Sequence, residues 1–396
     1  MPESRSGILP LCSGLRTDMA AIAELRSNVA QIPDWKAFVE TAERHGMMPM
    51  VYRSLNAYCA EIAPKTAMRA MQDRFKANAL RNLMRTQELL RIVGIFEHAG
   101  IAAIPYKGPT LAVAVYGDLA LREFSDLDIL ISPEDVRPAI DLLLSHGYHA
   151  ETQLNKKQFS AYLRSGCEFG FQLDQGDCRV ELHWQIAPAM FSIPFKFQEL
   201  WVRRQMLSLG EGAVTCLSPE DMLLVFCVHA MKHTWNSLGW IVDVAKLLQS
   251  TPLDWKVTLE RARLMGIERI LLLGLLLASD FFSAPLPQEI KKLVCAKSVR
   301  TLGKSAVEKL SLLSFKDEFS LSDHLFFFRS RERLPDKIAY AFRALFTPDL
   351  ADWQSARLPE LMFPLYRILR IGRIFKKFSS TLPRARAGLA PSGQPK

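Results

Sequence analysis

Two acids stand at alternate positions of a short, otherwise apolar run, SDLDILI (125–131). Such a run predicts a buried β-strand. A carboxylate turned towards a core costs on the order of several kcal/mol unless a cation or hydrogen-bond donors compensate it. Strand side chains alternate between faces, so Asp126 and Asp128 share one face while Leu127 and Ile129 take the other. The chain must therefore supply a compensating environment beside this strand.

The neighbouring sequence predicts a compact β-α-β-α-β-β unit. IAAIPY (101–106) reads as a strand preceded by Gly100. KGPT turns the chain, and Pro109 suits the first turn of a helix running to about Tyr116. YGDLALREFS is a connection, and PEDVRPAIDLLLSHGY is an amphipathic helix with Pro133 near its start and Gly147 near its end. CEFGFQLD and CRVELHWQI, separated by QGD, alternate as the two arms of a β-hairpin. In the second arm Glu181 and His183 share a face, and Val180 and Leu182 take the opposite one.

Helical periodicity dominates elsewhere. From about 17 to 100 apolar residues recur at three- and four-residue spacing. After Cys216 a helix opens with Ser218 as N-cap, Pro219 at the first position and Asp221 at the third. Helical text then continues to about 378. The expected fold class is α+β: a small mixed β-sheet core flanked by N-terminal and C-terminal helical regions. The expected boundaries are 1–100 for the N-terminal helical region, 101–215 for the α/β core, 216–378 for the C-terminal helical domain and 379–396 for a basic disordered tail.

Charge and cysteine content narrow the setting. Of the formal +9, eight charges fall in 361–396, which holds no acid, so the first 360 residues sum to +1. The high pI is a property of the C-terminus, and no basic groove suited to nucleic acid is readable in the remainder. The seven cysteines include no C-x-x-C pair and are odd in number, which predicts reduced thiols and a cytoplasmic protein. The start of the chain is a poor signal peptide, and the most apolar run, ILLLGLLLAS (270–279), is too short to span a bilayer and predicts a buried helix. LYRILRIGRIFKKF (365–378) alternates Arg367, Arg370, Arg373 and Lys377 with Leu365, Ile368, Ile371, Phe375 and Phe378. This basic amphipathic helix suits contact with an anionic membrane or a partner protein, or packing on the protein with its basic face in water.

Acids from neighbouring strands that meet at a strand-end cleft suit magnesium, which takes oxygen ligands and leaves positions for phosphates. Two such ions clamp an in-line displacement at phosphorus. KGPT, between a strand and a helix start, presents backbone N–H groups to a phosphate. Together, YKGPTLAVAVYGDLALREFSDLDILI and the later VELHW resemble the polymerase-β-type nucleotidyltransferase superfamily, and in particular its bacterial branch of uncharacterised nucleotidyltransferases. The resemblance spans 101–186 and extends more weakly over 228–248.

The resemblance implies that Asp126 and Asp128 coordinate Mg²⁺, or Mn²⁺ in its place. It implies that Glu181 is the third carboxylate, completing the second-metal site and taking the acceptor's proton. It makes Gly108 the phosphate-loop glycine, with Lys107 and Arg122 neutralising a triphosphate. The loop departs from the usual Gly-Ser or Gly-Gly, and Thr110 offers the hydroxyl instead. Ser125 and His183 join the nucleotide-binding set, His183 as a phosphate or metal neighbour or as a structural histidine. His229, Lys232 and His233 either line the nucleotide cleft or form an ordinary polar helix face. Asp243 is expected to hydrogen-bond structurally across this region, and Tyr116 to pack. The implied reaction transfers an NMP from an NTP, ATP foremost, to a hydroxyl on a peptide, sugar, protein or RNA end. The rival expectation is a non-catalytic nucleotide-binding scaffold that docks a membrane or partner through the basic C-terminus.

Overall fold

The computed structural model describes residues 7–173, 178–312, 320–356 and 358–381. The fold is α+β, as expected. Its centre is a five-stranded mixed sheet of β1 (Ala103–Pro105), β2 (Asp126–Ile131), β3 (Tyr148–Ala150), β4 (Glu168–Leu173) and β5 (Arg179–His183), in the order β1-β2-β5-β4-β3. β2 and β5 run parallel, and every other neighbouring pair is antiparallel. The expected hairpin is the β4–β5 pair. The parallel partnership of β2 and β5 sets Asp128 opposite Glu181 and Asp126 opposite Arg179.

Two short features were not expected. β3 is only three residues long, and β6 (Gln205–Leu209) with β7 (Gly212–Cys216) forms a separate two-stranded ribbon around Gly210. Three of the five β6 residues are exposed, so the strand lacks the apolar alternation that marks a half-buried one. Thr215 Oγ1 ties the ribbon to the Ala103 carbonyl at 2.5 Å.

One face of the sheet is dry. Leu127, Ile129, Val180, Leu182, Phe169 and Phe171 pack there with Leu89, Ile92 and Phe96 from the long helix Lys65–His98. The second core joins both ends of the chain: Val51 and Leu55 from the N-terminal helices pack with Leu224, Ile241 and Leu271 from the C-terminal ones. The run 270–279 lies inside helix Glu268–Phe282 and is almost wholly buried, as expected. No helix among the described residues is long and apolar enough to cross a membrane. All seven cysteines are free thiols.

The long helix also carries a buried polar stripe that fixes the connection before β2. Asn78 Nδ2 donates to the carbonyls of Ala120 and Arg122, at 3.0 and 3.2 Å. Asn82 Nδ2 donates to those of Leu119 and Arg122, at 2.7 and 2.8 Å. Arg85 Nη1 reaches the Phe124 carbonyl at 2.7 Å. These bonds satisfy loop carbonyls that no strand partners, and they fix the path by which the chain enters β2.

The C-terminal helix Leu365–Thr381 forms over the expected stretch, but part of its basic stripe turns inward: Arg367 stays exposed and Ile371 half-buried, while Arg370 is enclosed. Arg370 is 4% exposed. Its Nη1 bonds Asp349 at 2.7 Å and Asp352 at 3.1 Å, and Arg373 pairs with the same two acids. Ile368 and Phe375 are instead the exposed residues, at 63% and 73%. Periodicity alone favours burying the apolar stripe; two carboxylates waiting on the helix Leu350–Ser355 and its N-cap reverse that preference. The expected tail, 379–396, lies largely outside the described residues, as does the side chain of Lys377.

Candidate active site

The polar face of β2 and β5 floors a cavity of about 630 Å³ whose walls come from the long helix, the loop before β2 and the helices Pro219–Lys232 and Leu238–Ser250. Asp126, Asp128 and Glu181 all line it. Gly108 makes the floor possible. Its φ of +52° lies in the left-handed region, and a Cβ there would stand 3.3 Å from the Asp126 carbonyl. Glycine lets the KGPT turn lie directly against the start of β2.

Each acid is compensated by a specific cation. Lys107 Nζ lies 2.5 Å from Asp128 Oδ1, and His183 Nε2 lies 3.0 Å from the same oxygen and 3.3 Å from Glu181 Oε2. Arg179 Nη1 sits 2.8 Å from Glu181 and 3.8 Å from Asp126. Lys232 Nζ bonds Glu168 Oε2 at 3.2 Å, and His183 Nδ1 approaches the same oxygen at 3.5 Å. Glu151 grips Arg179 from outside at 2.6 Å; it fits because residue 170 has no side chain, since a Cβ there would fall 2.2 Å from Glu151 Oε2.

The electrostatics follow. Burial opposes ionisation of Asp128, but Lys107 and His183 outweigh it and hold the carboxyl below its usual range. Burial, with the charges of Asp128 and Glu181 beside it, pushes Asp126 up to about 6. Glu168 is buried too, yet Lys232, His183 and Lys107 bring it down to about 2. Burial opposes the charged form of His183, yet hydrogen bonds to Asp128, Cys167 and Glu181 raise it well above its ordinary value. Four carboxylates (Asp126, Asp128, Glu168 and Glu181) thus face four cations (Lys107, Arg179, Lys232 and His183).

The donor set fits a hard divalent ion. Ligand atoms of Asp128, Glu181 and His183 lie within 4.8 Å of one another, and Asp126 adjoins through the shared Arg179. The oxygens that Lys107, Arg179 and His183 now hold are carboxylate oxygens, the ligand type magnesium prefers. A second group, Cys167, Glu168 and His183, is equally close, but burial raises the Cys167 thiol above its ordinary range, which disfavours the thiolate a softer metal needs.

The other sequence-derived residues divide. Lys107, Ser125, Lys232, His229 and His233 line the cavity. Thr110 is buried and donates its hydroxyl to the Lys107 carbonyl at 2.7 Å, bracing the loop from behind. Arg122 lines the cavity, but its guanidinium is held by Asp243 through bonds of 3.2 and 3.1 Å, and neither Asp126 nor Asp128 is its partner. Tyr116 donates its hydroxyl to Asp243 at 2.5 Å, so it does more than pack, and Asp243 bonds across the region as expected. Glu168 and Arg179 were not anticipated. Arg179 was within reach of the period-two rule, since it shares a strand face with Glu181.

Glu123, on the cavity wall beside Glu43, gives a pH-dependent prediction. Burial and the Glu43 charge raise its carboxyl from 4.5 to about 7. The folded state therefore binds the proton more tightly, and ionisation costs stability as pH rises through that window. Glu123→Gln is expected to raise the melting temperature at pH 8 by about 1–2 °C and to leave it unchanged near pH 4.5. Equal shifts at both pH values, read by calorimetry, would refute this.

Residues 32–283 match the family described as uncharacterised nucleotidyltransferase. The chain belongs to this family. The match is wider than the 101–186 resemblance and takes in most of the N-terminal helices and the C-terminal ones through Ser283. Nucleotidyl transfer is thereby its class of chemistry. No curated protein matches the chain. Among solved structures it is similar to the lincosamide antibiotic adenylyltransferase LnuA bound to lincomycin, at 18% identity over 42% of this chain and 97% of that one, with a TM-score of 0.31.

Proposed function

We propose that this family member binds an NTP, ATP foremost, with Mg²⁺ or Mn²⁺, and transfers its nucleoside monophosphate to a hydroxyl acceptor with release of pyrophosphate. The observation that carries this is the meeting of Asp126, Asp128 and Glu181 on one sheet face at the floor of the cavity. These three carboxylates would hold the metal, which when bound neutralises phosphoryl charge and orients the α-phosphorus.

The protein's own residues do the rest. Lys107 and Lys232, already at the floor, offer their ammonium groups to phosphate oxygens once the acids have another partner. The left-handed turn at Gly108 opens the N-terminus of the helix Gly108–Tyr116, whose dipole favours the anion. The acceptor oxygen attacks the α-phosphorus, its proton passes to Glu181, and the bond to the β-phosphate oxygen breaks. Arg179 and His183 hold Glu181 in place for that transfer. Arg122 acts through position, tying the β2 loop to the C-terminal helices.

The test is a mass-shift survey. Peptide, sugar, protein and RNA acceptors are incubated with each of the four NTPs and Mg²⁺. Addition of one NMP with stoichiometric pyrophosphate supports the proposal, and tight NTP binding without turnover across the panel would favour a nucleotide-binding scaffold.

A further inference from the structure

The cavity has two chemically distinct ends. Its floor is the charged cluster of β2, β4 and β5. Its wall on the C-terminal side is aromatic. The rings of His229 and His233 lie 4.7 Å apart; Trp240 stands 4.7 Å from the first, edge to face, and 5.5 Å from the second, nearly parallel. All three line the cavity.

This wall is built to stay in place. Thr234 and Trp235, which follow the first helix, both adopt left-handed φ values, of 54° and 56°. Such a pair is strained for residues other than glycine, and the complete burial of Trp235 holds it. The resulting sharp turn, capped by Ser237, folds the next helix back so that Trp240 meets the two histidines. Three residues further along that helix, Asp243 locks to Arg122 and Tyr116, fixing its rotation.

Burial disfavours positive charge on this wall. Burial lowers both histidines, assisted at His229 by Lys107 and at His233 by Lys232, the second to about 3. The wall does carry two unmet hydrogen-bonding atoms: His229 Nε2 and Trp240 Nε1 are buried and have no partner. Buried polar atoms are almost always paired, so an unpaired pair lining one cavity points to a ligand that completes them. A phosphate would seek the cations at the floor. A neutral, flat heterocycle with both donor and acceptor edges suits this wall.

We propose that the nucleobase of the donor nucleotide packs into the aromatic corner of His229, His233 and Trp240, with Trp240 as its main face and with His229 Nε2 and Trp240 Nε1 as its hydrogen-bonding contacts. This rests on the nucleotidyl-transfer function above and assigns the two ends of one ligand: triphosphate at the floor, base at the wall. It makes Trp240 a binding residue that the sequence motifs do not reveal.

The experiment is calorimetric titration of the full chain with Mg²⁺ and two probes: a non-hydrolysable α,β-methylene ATP and inorganic tripolyphosphate, which has no base. Trp240→Ala is expected to weaken the nucleotide about tenfold or more, the scale of losing one base–aromatic stack, while tripolyphosphate stays within about twofold. Trp240→Phe, which keeps a stacking face, should recover most of the loss. Retained tripolyphosphate binding also shows that the variant is folded. Unchanged nucleotide affinity in Trp240→Ala would overturn the assignment, as would equal weakening of both probes. Failure of the wild type to bind either probe would instead overturn the nucleotidyl-transfer reading on which the assignment rests.

Discussion

Replacing Asp126 and Asp128 together by alanine is expected to abolish nucleotide incorporation, by about 10³-fold or more, the scale of several kcal/mol of charge stabilisation at phosphorus. The acids also organise the unliganded site, since Lys107 and His183 both rest on Asp128. Removing Asp128 leaves those cations buried without their main partner, so some loss of stability accompanies the loss of turnover. The isosteric Asp126→Asn separates the effects. It keeps the volume and removes the charge at a position whose nearest cation, Arg179, retains Glu181 and Glu151. Its melting temperature should stay near wild type while incorporation of radiolabelled NMP falls sharply. Undiminished incorporation by the double variant would eliminate the proposed mechanism.

The second large effect concerns stability. Asp243 accepts two bonds from Arg122 and one from Tyr116, and all three side chains are largely enclosed. Asp243→Ala strands a buried guanidinium and a buried hydroxyl. Breaking one side of such a pair costs about 3–5 kcal/mol. Urea unfolding should show that loss in the free energy extrapolated to water, and Arg122→Met in the same background should recover part of it by removing the unpaired charge. A cost below about 1 kcal/mol would mean that water or a neighbour takes over the role of Asp243. The same variant should loosen the wall that carries Trp240.

Much of the charged floor was legible from strand periodicity. The alternation of acids and aliphatics in SDLDILI and of RVELH fixes which residues share a face, and the Lys-Gly-Pro turn sits where a strand meets a helix. Glu168 was harder to see. It lies opposite His183 only because of the register in which β4 pairs with β5, and a one-residue slip would turn it to the other face. The Arg122–Asp243 lock joins positions 121 residues apart, a distance no local pattern reports. At the C-terminal helix periodicity gave the right element but not its inward residues, because Asp349 and Asp352 draw Arg370 and Arg373 inward. The buried asparagines at 78 and 82 were hidden for a related reason. They bond loop carbonyls, and carbonyls leave no signature in a sequence.

The pairing of β2 with β5 has a consequence for biogenesis. The acids of the floor leave the ribosome well before most of their escorts: on β2 Asp128 precedes His183 by 55 residues, and on β4 Glu168 precedes Lys232 by 64. Until then like charges on β2 repel, and of the four cations at the floor Lys107 alone has been synthesised to offset them. The parallel register must also wait for β5, a non-local closure of the kind that folds slowly. A nascent chain stalled before residue 179 would thus lack Glu181 beside its β2 acids, and a product terminated there should bind divalent ions less well than the full chain.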